Sequence, residues 1–458
     1  MRPLLCALVV SLCACPPPPV ELDAGTPNNG GGSAGGTIVT AGGTASAGGA
    51  SGGGTVVDGG NEVDAGVLKG PFDAGVAPPG PVRGELTYWQ LDLPVGIIPK
   101  TGEAGVLVGP DGTIVVIDVG NSNHDDEVRA AVRELNTQWL TPARGYPRTR
   151  APLEIDWMIL SHFHADHIGA FEALVTTDPL TITGGVVHRG FVDVGGGTNA
   201  SDFTAMCNKL RGPLAAKNVS LCTAAPESAC TISTRAQATG CPGLLRGDLS
   251  RADDDAAMEP SFISLGDGAR LELLGANGYA VQGRSVMAGP TFGVTDTNEE
   301  NGRSVVGLVR HGAFRFLFAG DLSGSGASTE PDVESFIISS NAATLGALGV
   351  DVAHANHHAR KTSSNMNWVQ AAAPVDGKAR NVIAGINTAY VNSPHQETLD
   401  AWLTGNRLGD GRFVVTKRAP AAGTSPLLVD VNGRLVFQTV QGGDGYWLQA
   451  RAFPSVRR

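Results

Sequence analysis

One nine-residue stretch constrains this chain more than any other feature of its sequence. Residues Ser161–Gly169 read Ser-His-Phe-His-Ala-Asp-His-Ile-Gly and directly follow an apolar run, Ile155–Leu160. Three histidines and an aspartate within six residues are costly to bury without a cation between them, because converging polar side chains lose their hydration. The sequence therefore predicts a metal site at the end of a buried strand.

Three further apolar runs also end in polar side chains. Short runs rich in β-branched or aromatic residues and bounded by glycine are typical of buried strands. Apolar residues at helical spacing predict a helix over 125–139. Strands that present polar residues at one edge build a site there, as in layered α/β sheets. The runs and their polar residues are Thr113–Ile117 with Asp118, Phe314–Phe318 with Asp321, and Val350–Ala353 with His357 and His358.

The spacing within the histidine stretch divides its ligands into two pairs. His162 and His164 alternate on one face of an extended segment, whereas Asp166 and His167 begin the helix that follows. Two pairs suit two divalent metal ions that share a water and lower its pKa toward neutrality. The imidazole content favours zinc, and the carboxylates leave manganese or iron open.

The stretch and its surroundings resemble the metallo-β-lactamase fold superfamily. The likeness covers about residues 86–437 and is greatest to the hydrolase domain of bacterial competence (DNA-uptake) proteins. It implies an α/β fold of the αββα sandwich type. Ala359 stands where the close relatives usually have glycine, and their early Gly-Gln-Gly-Asp is absent here. The residues that carry the resemblance are His162-x-His164-x-Asp166-His167, Asp118, Asp321, His357 and the segment Asn392–His395.

The resemblance implies one ligand set for each of the two metal ions. Asp118 would stay outside both sets and orient a ligand imidazole, and Asp166 would be catalytic as well as metal-binding. The implied ligands are His162 and His164 for the first metal, Asp166, His167 and His357 for the second, and Asp321 as the bridge between them.

One ligand of the first metal stays open. His188 ends another strand-like run and could supply it, or it could be a buried histidine bonded to the backbone. Asn301 lies before the Asp321 strand, where relatives carry a polar residue. Between the adjacent His357 and His358, the family pattern favours His357.

Three residues that we expect at the rim of the site could contact the substrate. His395 precedes a helix start and could protonate a leaving group, or it could cap the helix. Arg360 and Lys361 could bind an anionic substrate, although ordinary solvated charge is slightly preferred for both.

The N-terminal segment predicts export and attachment to a membrane. Residues 1–15 contain one arginine, a short apolar run and a Leu-Cys-Ala-Cys ending that resembles a bacterial lipobox, which implies a lipid on Cys15. An ordinary cleaved signal is the alternative. Residues 16–83 are rich in Gly, Ser, Ala and Pro and cannot offset their ordering entropy, so we expect a disordered linker. Residues 84–458 would then form one extracytoplasmic hydrolase domain.

Four of the seven cysteines lie in a stretch of about 195–260 that is poor in apolar runs. An even number of cysteines in an exported chain favours two disulfides with three possible pairings. A Cys₄ zinc site is the alternative, although no Cys-x-x-Cys pair is present. We expect this stretch to be an insert stapled by disulfides, formed by Cys207, Cys222, Cys230 and Cys241.

The charge balance limits the substrate. The formal net charge is −11, from 33 basic and 44 acidic side chains, which argues against a broad basic track for nucleic acid. A small or cell-envelope phosphodiester is therefore preferred, with nucleic acid possible but not favoured. A lactone or β-lactam could be hydrolysed by the same site, and a non-catalytic surface lipoprotein remains a third alternative.

Overall fold

The computed structural model describes residues 79–95, 100–192, 200–223, 230, 238–251, 259–290, 300–326 and 331–457. The predicted signal peptide (1–15) with Cys15, and the predicted linker up to residue 78, lie outside these residues. Within the described ranges, no helix combines the length and apolar character that a membrane span requires.

The described residues form nineteen strands and nine α-helices, besides short 3₁₀ and π-helical turns. The strands are β1 Thr87–Gln90, β2 Gly105–Val108, β3 Ile114–Ile117, β4 Glu154–Leu160, β5 Thr181–His188, β6 Asn218–Ser220, β7 Phe262–Gly266, β8 Ala269–Ala276, β9 Tyr279–Gln282, β10 Ser285–Ala288, β11 Val306–His311, β12 Phe314–Phe318, β13 Val352–His354, β14 Asn381–Ala384, β15 Phe413–Val415, β16 Leu428–Asp430, β17 Leu435–Thr439, β18 Gly445–Leu448 and β19 Arg451–Pro454. The helices are α1 Asp125–Glu134, α2 Ala165–Ile168, α3 Phe171–Thr176, α4 Ala200–Arg211, α5 Val333–Ser340, α6 Ala342–Leu345, α7 Asn356–Ala359, α8 Met366–Ala372 and α9 Gln396–Leu403.

The strands make two large mixed sheets. The first has the order β19-β18-β17-β1-β2-β3-β4-β5-β6, and the second has the order β10-β9-β8-β11-β12-β13-β14-β15-β16, with β7 added beside β8. Neighbours from β3 to β6 run parallel, as do neighbours from β12 to β16. The carboxyl ends of parallel strands share one edge of a sheet, and each sheet therefore gathers its strand-end residues there.

Alternating burial along the strands shows how the sheets are layered. In β12, Phe314, Phe316 and Phe318 join a core that contains residues of both sheets, whereas Leu317 joins a second core with α5, α8 and α9. The outer face of the first sheet packs against α1, α3 and α4 in a third core. Because side chains alternate between the faces of a strand, each sheet is covered on both sides. The predicted αββα fold class is confirmed.

The sequence located most of these elements correctly. The four predicted strands correspond to β3, β4, β12 and β13 within one or two residues. The predicted helix begins at Asp125 as α1, but its α-helical part ends at Glu134 and a π-helical turn, Leu135–Trp139, completes it.

The cysteine-rich stretch is held by two disulfides, Cys207–Cys230 and Cys222–Cys241. Part of the stretch belongs to the sandwich itself, because α4 packs on the first sheet and β6 extends that sheet beside β5.

Candidate metal centre

The carboxyl ends of strands from both sheets meet at one site. Asp118 follows β3, the histidine stretch follows β4, Asp321 follows β12, and two histidines follow β13. Among the described residues, two groups of side chains could each hold a metal ion, with ligand atoms within 4.8 Å of one another. The groups are Glu103, His167, Asp321 and His358, and His162, His164 and Asp321.

His167 is fixed from behind by the carboxylate of Asp118. Its Nδ1 lies 2.8 Å from Asp118 Oδ2, and its Nε2 lies 3.3 Å from Asp321 Oδ1. Asp118 also accepts hydrogen bonds from the backbone N–H and hydroxyl of Ser161 at 2.7 Å each. A carboxylate on one ring nitrogen leaves the other nitrogen aimed at the metal position. The contact is the one that the resemblance implied for Asp118.

His358 forms an ion-pair contact with Glu103, without the aligned hydrogen bond that joins His167 to Asp118. Its Nδ1 lies 3.0 Å from Glu103 Oε2, and its Nε2 lies 3.3 Å from Asp321 Oδ2. The other oxygen of Glu103 contacts His354 Nε2. Burial alone would raise the pKa of Glu103, but His354 and His358 outweigh it and hold the pKa at about 2. The carboxylate therefore stays ionised at neutral pH.

The Nε2 atoms of His167 and His358 lie 3.3 Å apart beside Asp321. Burial lowers the pKa of an imidazole, but Asp321 more than compensates and raises the pKa of both rings well above the ordinary value. The same histidines hold the pKa of Asp321 well below its ordinary value despite its burial. These shifts show that the buried carboxylates draw positive charge into the cluster, which a metal cation can supply.

The second group is built on the extended segment after β4. His162 Nε2 lies 3.0 Å from His164 Nδ1 and 3.8 Å from Asp321 Oδ2. Its Nδ1 lies 3.0 Å from the hydroxyl of Ser161. Burial lowers the pKa of His162 well below its ordinary value, with His167 adding to the effect. A neutral imidazole is the form that binds a metal.

Asp166 lies at the edge of the first group. Its Oδ2 is 3.5 Å from His358 Nε2 and accepts a hydrogen bond of 3.1 Å from the phenol of Tyr390. The Tyr390 ring stacks on His358 with centroids 4.1 Å apart. Tyr390 thus locks both residues in place.

The structure places His358, and not His357, in the compact group with His167. His357 Nε2 is 3.8 Å from Asp321 and 3.3 Å from Asn301 Nδ2, and its Nδ1 is 2.6 Å from the hydroxyl of Thr362. His357 therefore lines the site without belonging to either group. This differs from the sequence-based preference for His357, because a local pattern cannot tell which of two adjacent histidines turns inward.

The backbone of the turn at His357–Ala359 has the conformation that suits glycine, which the resemblance implied at position 359. His357, His358 and Ala359 all have positive φ angles, of 52°, 51° and 59°. This left-handed conformation favours glycine, so the alanine here carries strain that the surrounding contacts must offset.

The structure does not bring His188 to either group. Its Nε2 lies 2.6 Å from Asn218 Oδ1, and its Nδ1 accepts the N–H of Gly190 at 3.1 Å. Burial lowers its pKa to about 4. Both ring nitrogens are already engaged, so the hydrogen-bonded role is the one that the structure supports for His188.

A cavity of about 370 Å³ gives access to the site. Arg360 and Lys361 are exposed at its wall, and His395 is half-buried there. Burial lowers the pKa of His395, and Arg360 adds to this shift. The lining residues are Thr101, Asn121, His164, Ala165, Asp166, Asn301, Asp321, His357, His358, Arg360, Lys361, Thr362 and His395.

Sequence reasoning missed Glu103 and Tyr390, and it passed over His358. Glu103 precedes β2 and Tyr390 follows β14, far from the histidine stretch in the chain. No local spacing links them to it, and the only available signal was the acidic residue in the Gly-Glu-Ala segment that begins at Gly102.

Residues 101–191 match the sequence profile of the metallo-beta-lactamase superfamily. The match contains the histidine stretch together with Glu103 and Asp118. The matched segment therefore has the sequence pattern of that superfamily, within a fold that is metallo-beta-lactamase-like. No curated protein shows significant sequence similarity to the chain.

Several solved structures share low similarity with the chain. The metallo-beta-lactamase fold protein YhfI from Bacillus subtilis is 10% identical, with a TM-score of 0.31 over 72% of this chain and 96% of that protein. A HARLDQ-motif mutant of a metallo-beta-lactamase from Cronobacter sakazakii is 15% identical, with a TM-score of 0.29 over 72% and 92%. A diphosphatase from the PhnP family is 13% identical, with a TM-score of 0.28 over 65% and 85%. No functional conclusion follows from similarities at this level.

Proposed function

We propose that this chain is a metal-dependent hydrolase with a two-metal site, exported and acting on a phosphodiester. The observation that carries the proposal is the position of Asp321, whose carboxylate belongs to both ligand groups. Members of the metallo-beta-lactamase superfamily are generally hydrolases, and the two groups contain the histidine stretch of the matched segment.

The donor set fits divalent cations. Asp321 is buried, and its Oδ1 accepts no hydrogen bond among the described residues. Such an oxygen beside convergent imidazoles is costly unless a cation satisfies it. The groups offer four imidazoles together with the carboxylates of Glu103 and Asp321, and this ligand content favours zinc while leaving manganese or iron open.

In the proposed mechanism, the protein's own residues position the reactants. Bound divalent cations would lower the pKa of a shared water and polarise the ester oxygen. Asp321 would connect the two ligand groups, and Asp166 would hold a proton of the attacking water. Asp118 and Glu103 keep two imidazoles aimed at the reaction centre, from 2.8 and 3.0 Å respectively.

The wall of the cavity supports an anionic substrate. Arg360 and Lys361 lie on the same cavity as Asp321, where they would bind the non-bridging oxygens of a phosphodiester. His395 lies on that wall as well and would protonate the leaving group, and because burial and Arg360 lower its pKa, we expect this role to be stronger as the pH falls below neutral. The resemblance to the competence-type branch points the same way.

A substrate screen tests this proposal. The purified protein, supplied with zinc or manganese, would be assayed with bis-p-nitrophenyl phosphate, duplex DNA, a chromogenic lactone and nitrocefin. We expect turnover of the phosphodiester, and little DNA cleavage because the net charge is −11. His167→Ala should lower kcat/KM by more than about 100-fold, since losing a metal ligand exceeds the cost of losing an outer partner.

His311→Ala is the matched control. His311 is buried and hydrogen-bonds Thr439 from β11, so its loss tests the general effect of deleting a buried histidine. Turnover of carbonyl substrates alone would show a lactone or β-lactam hydrolase. A protein that binds no metal and turns over none of these substrates would show a non-catalytic binding role.

A further inference from the structure

A buried ion pair lies directly beneath the histidine stretch. Arg189, which follows β5, binds Glu300 in the bidentate manner, with Nε 2.7 Å from Oε1 and a terminal nitrogen 2.7 Å from Oε2. Both side chains are fully buried. Such a pair loses much of its hydration on folding, and an apolar pair of similar volume is often as stabilising. Its location therefore needs an explanation other than stability.

The pair holds Phe163, the residue between His162 and His164. Glu300 Oε1 accepts the backbone N–H of Phe163 at 2.8 Å. The guanidinium of Arg189 lies 4.2 Å from the centre of the Phe163 ring. The backbone and the side chain of one residue are thus fixed by two partners, and the two flanking histidines alternate about that fixed point.

The turn that carries Glu300 also reaches the other side of the site. Glu300 precedes a 3₁₀ turn, Asn301–Arg303, and Asn301 Nδ2 lies 3.3 Å from His357 Nε2. Arg189 is anchored in turn by Asn277, whose Oδ1 accepts from a guanidinium nitrogen at 3.1 Å.

We infer that Arg189 and Glu300 are positioning residues that set the geometry of the His162/His164 metal group. This inference rests on the metal-dependent function proposed above. The other group shares Asp321 but has contacts of its own behind its two imidazoles, from Asp118 and Glu103. Loss of the ion pair should therefore weaken one metal position and spare the other.

Cobalt titration of the purified full chain tests the inference. The wild-type chain should bind two Co²⁺ ions, seen by the visible absorption of the ion and by native mass spectrometry. Glu300→Gln keeps one acceptor oxygen but loses the charge that faces Arg189. We expect one of the two ions to bind about 10–100-fold more weakly, which is the usual effect of losing a residue that supports a metal ligand. The affinity for the second ion should stay unchanged.

Amide exchange gives a readout that needs no metal. In the metal-free protein, the N–H of Phe163 should exchange faster in Glu300→Gln than in the wild-type chain. Glu272→Gln is the matched control, because Glu272 is a buried carboxylate paired with Arg310 at 2.8 Å on β8 and β11. It should leave cobalt affinity and Phe163 exchange unchanged.

Arg189→Lys serves as a second variant should Glu300→Gln not fold, because it keeps the positive charge and removes the bidentate contact. If the folded variants bind two Co²⁺ ions with wild-type affinity and protect the Phe163 N–H fully, the inference is overturned. A wild-type chain that binds no cobalt would defeat the proposed function instead, and the exchange of Phe163 would still decide the role of the pair.

Discussion

At the scale of single residues, the site depends on carboxylates that sit behind imidazoles. Asp118 contacts Nδ1 of His167, and Glu103 contacts Nδ1 of His358, so that both Nε2 atoms face Asp321. Each carboxylate selects the ring nitrogen that carries the proton and limits rotation of the ring. His167 follows β4 of the first sheet and His358 follows β13 of the second. The carboxylate behind each ring directs both Nε2 atoms toward Asp321.

Glu103→Gln should weaken metal binding without unfolding the protein. The amide can still accept one hydrogen bond but lacks the charge that holds both His354 and His358. We expect about a 10–100-fold loss of zinc affinity, measured by competition with a chromogenic chelator. Glu172→Gln, at an exposed carboxylate, should change nothing. Unaltered zinc affinity in Glu103→Gln would show that His358 needs no such partner.

The direction of the Glu103 pKa shift determines how its contacts with His354 and His358 depend on pH. The pKa of Glu103 is lowered in the folded chain, from 4.5 to about 2. The stabilisation is therefore complete above the ordinary pKa and is lost as the pH falls from 4.5 toward 2. Near neutral pH, the carboxylate contributes fully.

At the scale of elements, local pattern predicted the strand ends but not their partners. The runs before Asp118, His162 and Asp321 are apolar and short, glycines flank the first and the third, and each run forms a strand of the parallel regions. In each run, the residues that predict the strand lie within a few positions of one another in the sequence. Glu103 contacts His358, and Tyr390 contacts Asp166, only because the two sheets pack together, and such contacts leave no periodic pattern in one sequence.

The same limit explains the histidine predictions. His188 ends β5 as the sequence suggested, yet β6 brings Asn218 to its ring and engages it there. His357 and His358 share one local pattern, and the left-handed backbone of their turn decides which ring enters the compact group. Elements are predicted from nearest neighbours, whereas ligand selection depends on tertiary packing.

The core between the sheets should carry a large share of the stability. Phe316 is fully buried in β12, and its ring centroid lies 5.0 Å from that of Tyr88 and 4.9 Å from that of Phe437, both on the opposite sheet. Phe316→Ala should lower the free energy of unfolding by about 3–5 kcal/mol, because it opens a cavity that the sheets cannot close. Urea denaturation monitored by fluorescence measures this change.

Two comparisons sharpen that measurement. Phe316→Leu keeps most of the volume and should cost less than the alanine variant, whereas Val375→Ala, at a side chain 59% exposed, should stay within about 0.5 kcal/mol of the wild-type chain. A Phe316→Ala variant as stable as Val375→Ala would mean that the two sheets do not depend on this contact.

At the scale of the whole molecule, the disulfides connect stability with the compartment in which the chain folds. Cys222 and Cys241 belong to the core between the sheets, and Cys207 belongs to the core under α4. The bridges join residues 19 and 23 positions apart. Cross-links of this size restrict the unfolded chain, and they persist in oxidising compartments rather than in the cytosol. The bridges thus agree with the export that we propose.

Removal of either bridge should therefore lower stability and leave the chemistry intact. We expect the double variants Cys207→Ala/Cys230→Ala and Cys222→Ala/Cys241→Ala each to lose about 3 kcal/mol of unfolding free energy. Metal affinity should not change, because none of the four cysteines belongs to a ligand group of the described residues. Urea midpoints with and without a reductant measure the first effect, and zinc competition measures the second. Equal urea midpoints for the wild-type chain and the double variants would show that folding needs no oxidising compartment. A loss of zinc affinity would show that the disulfide-linked stretch shapes the site. That stretch follows β5, the strand after which Arg189 binds Glu300.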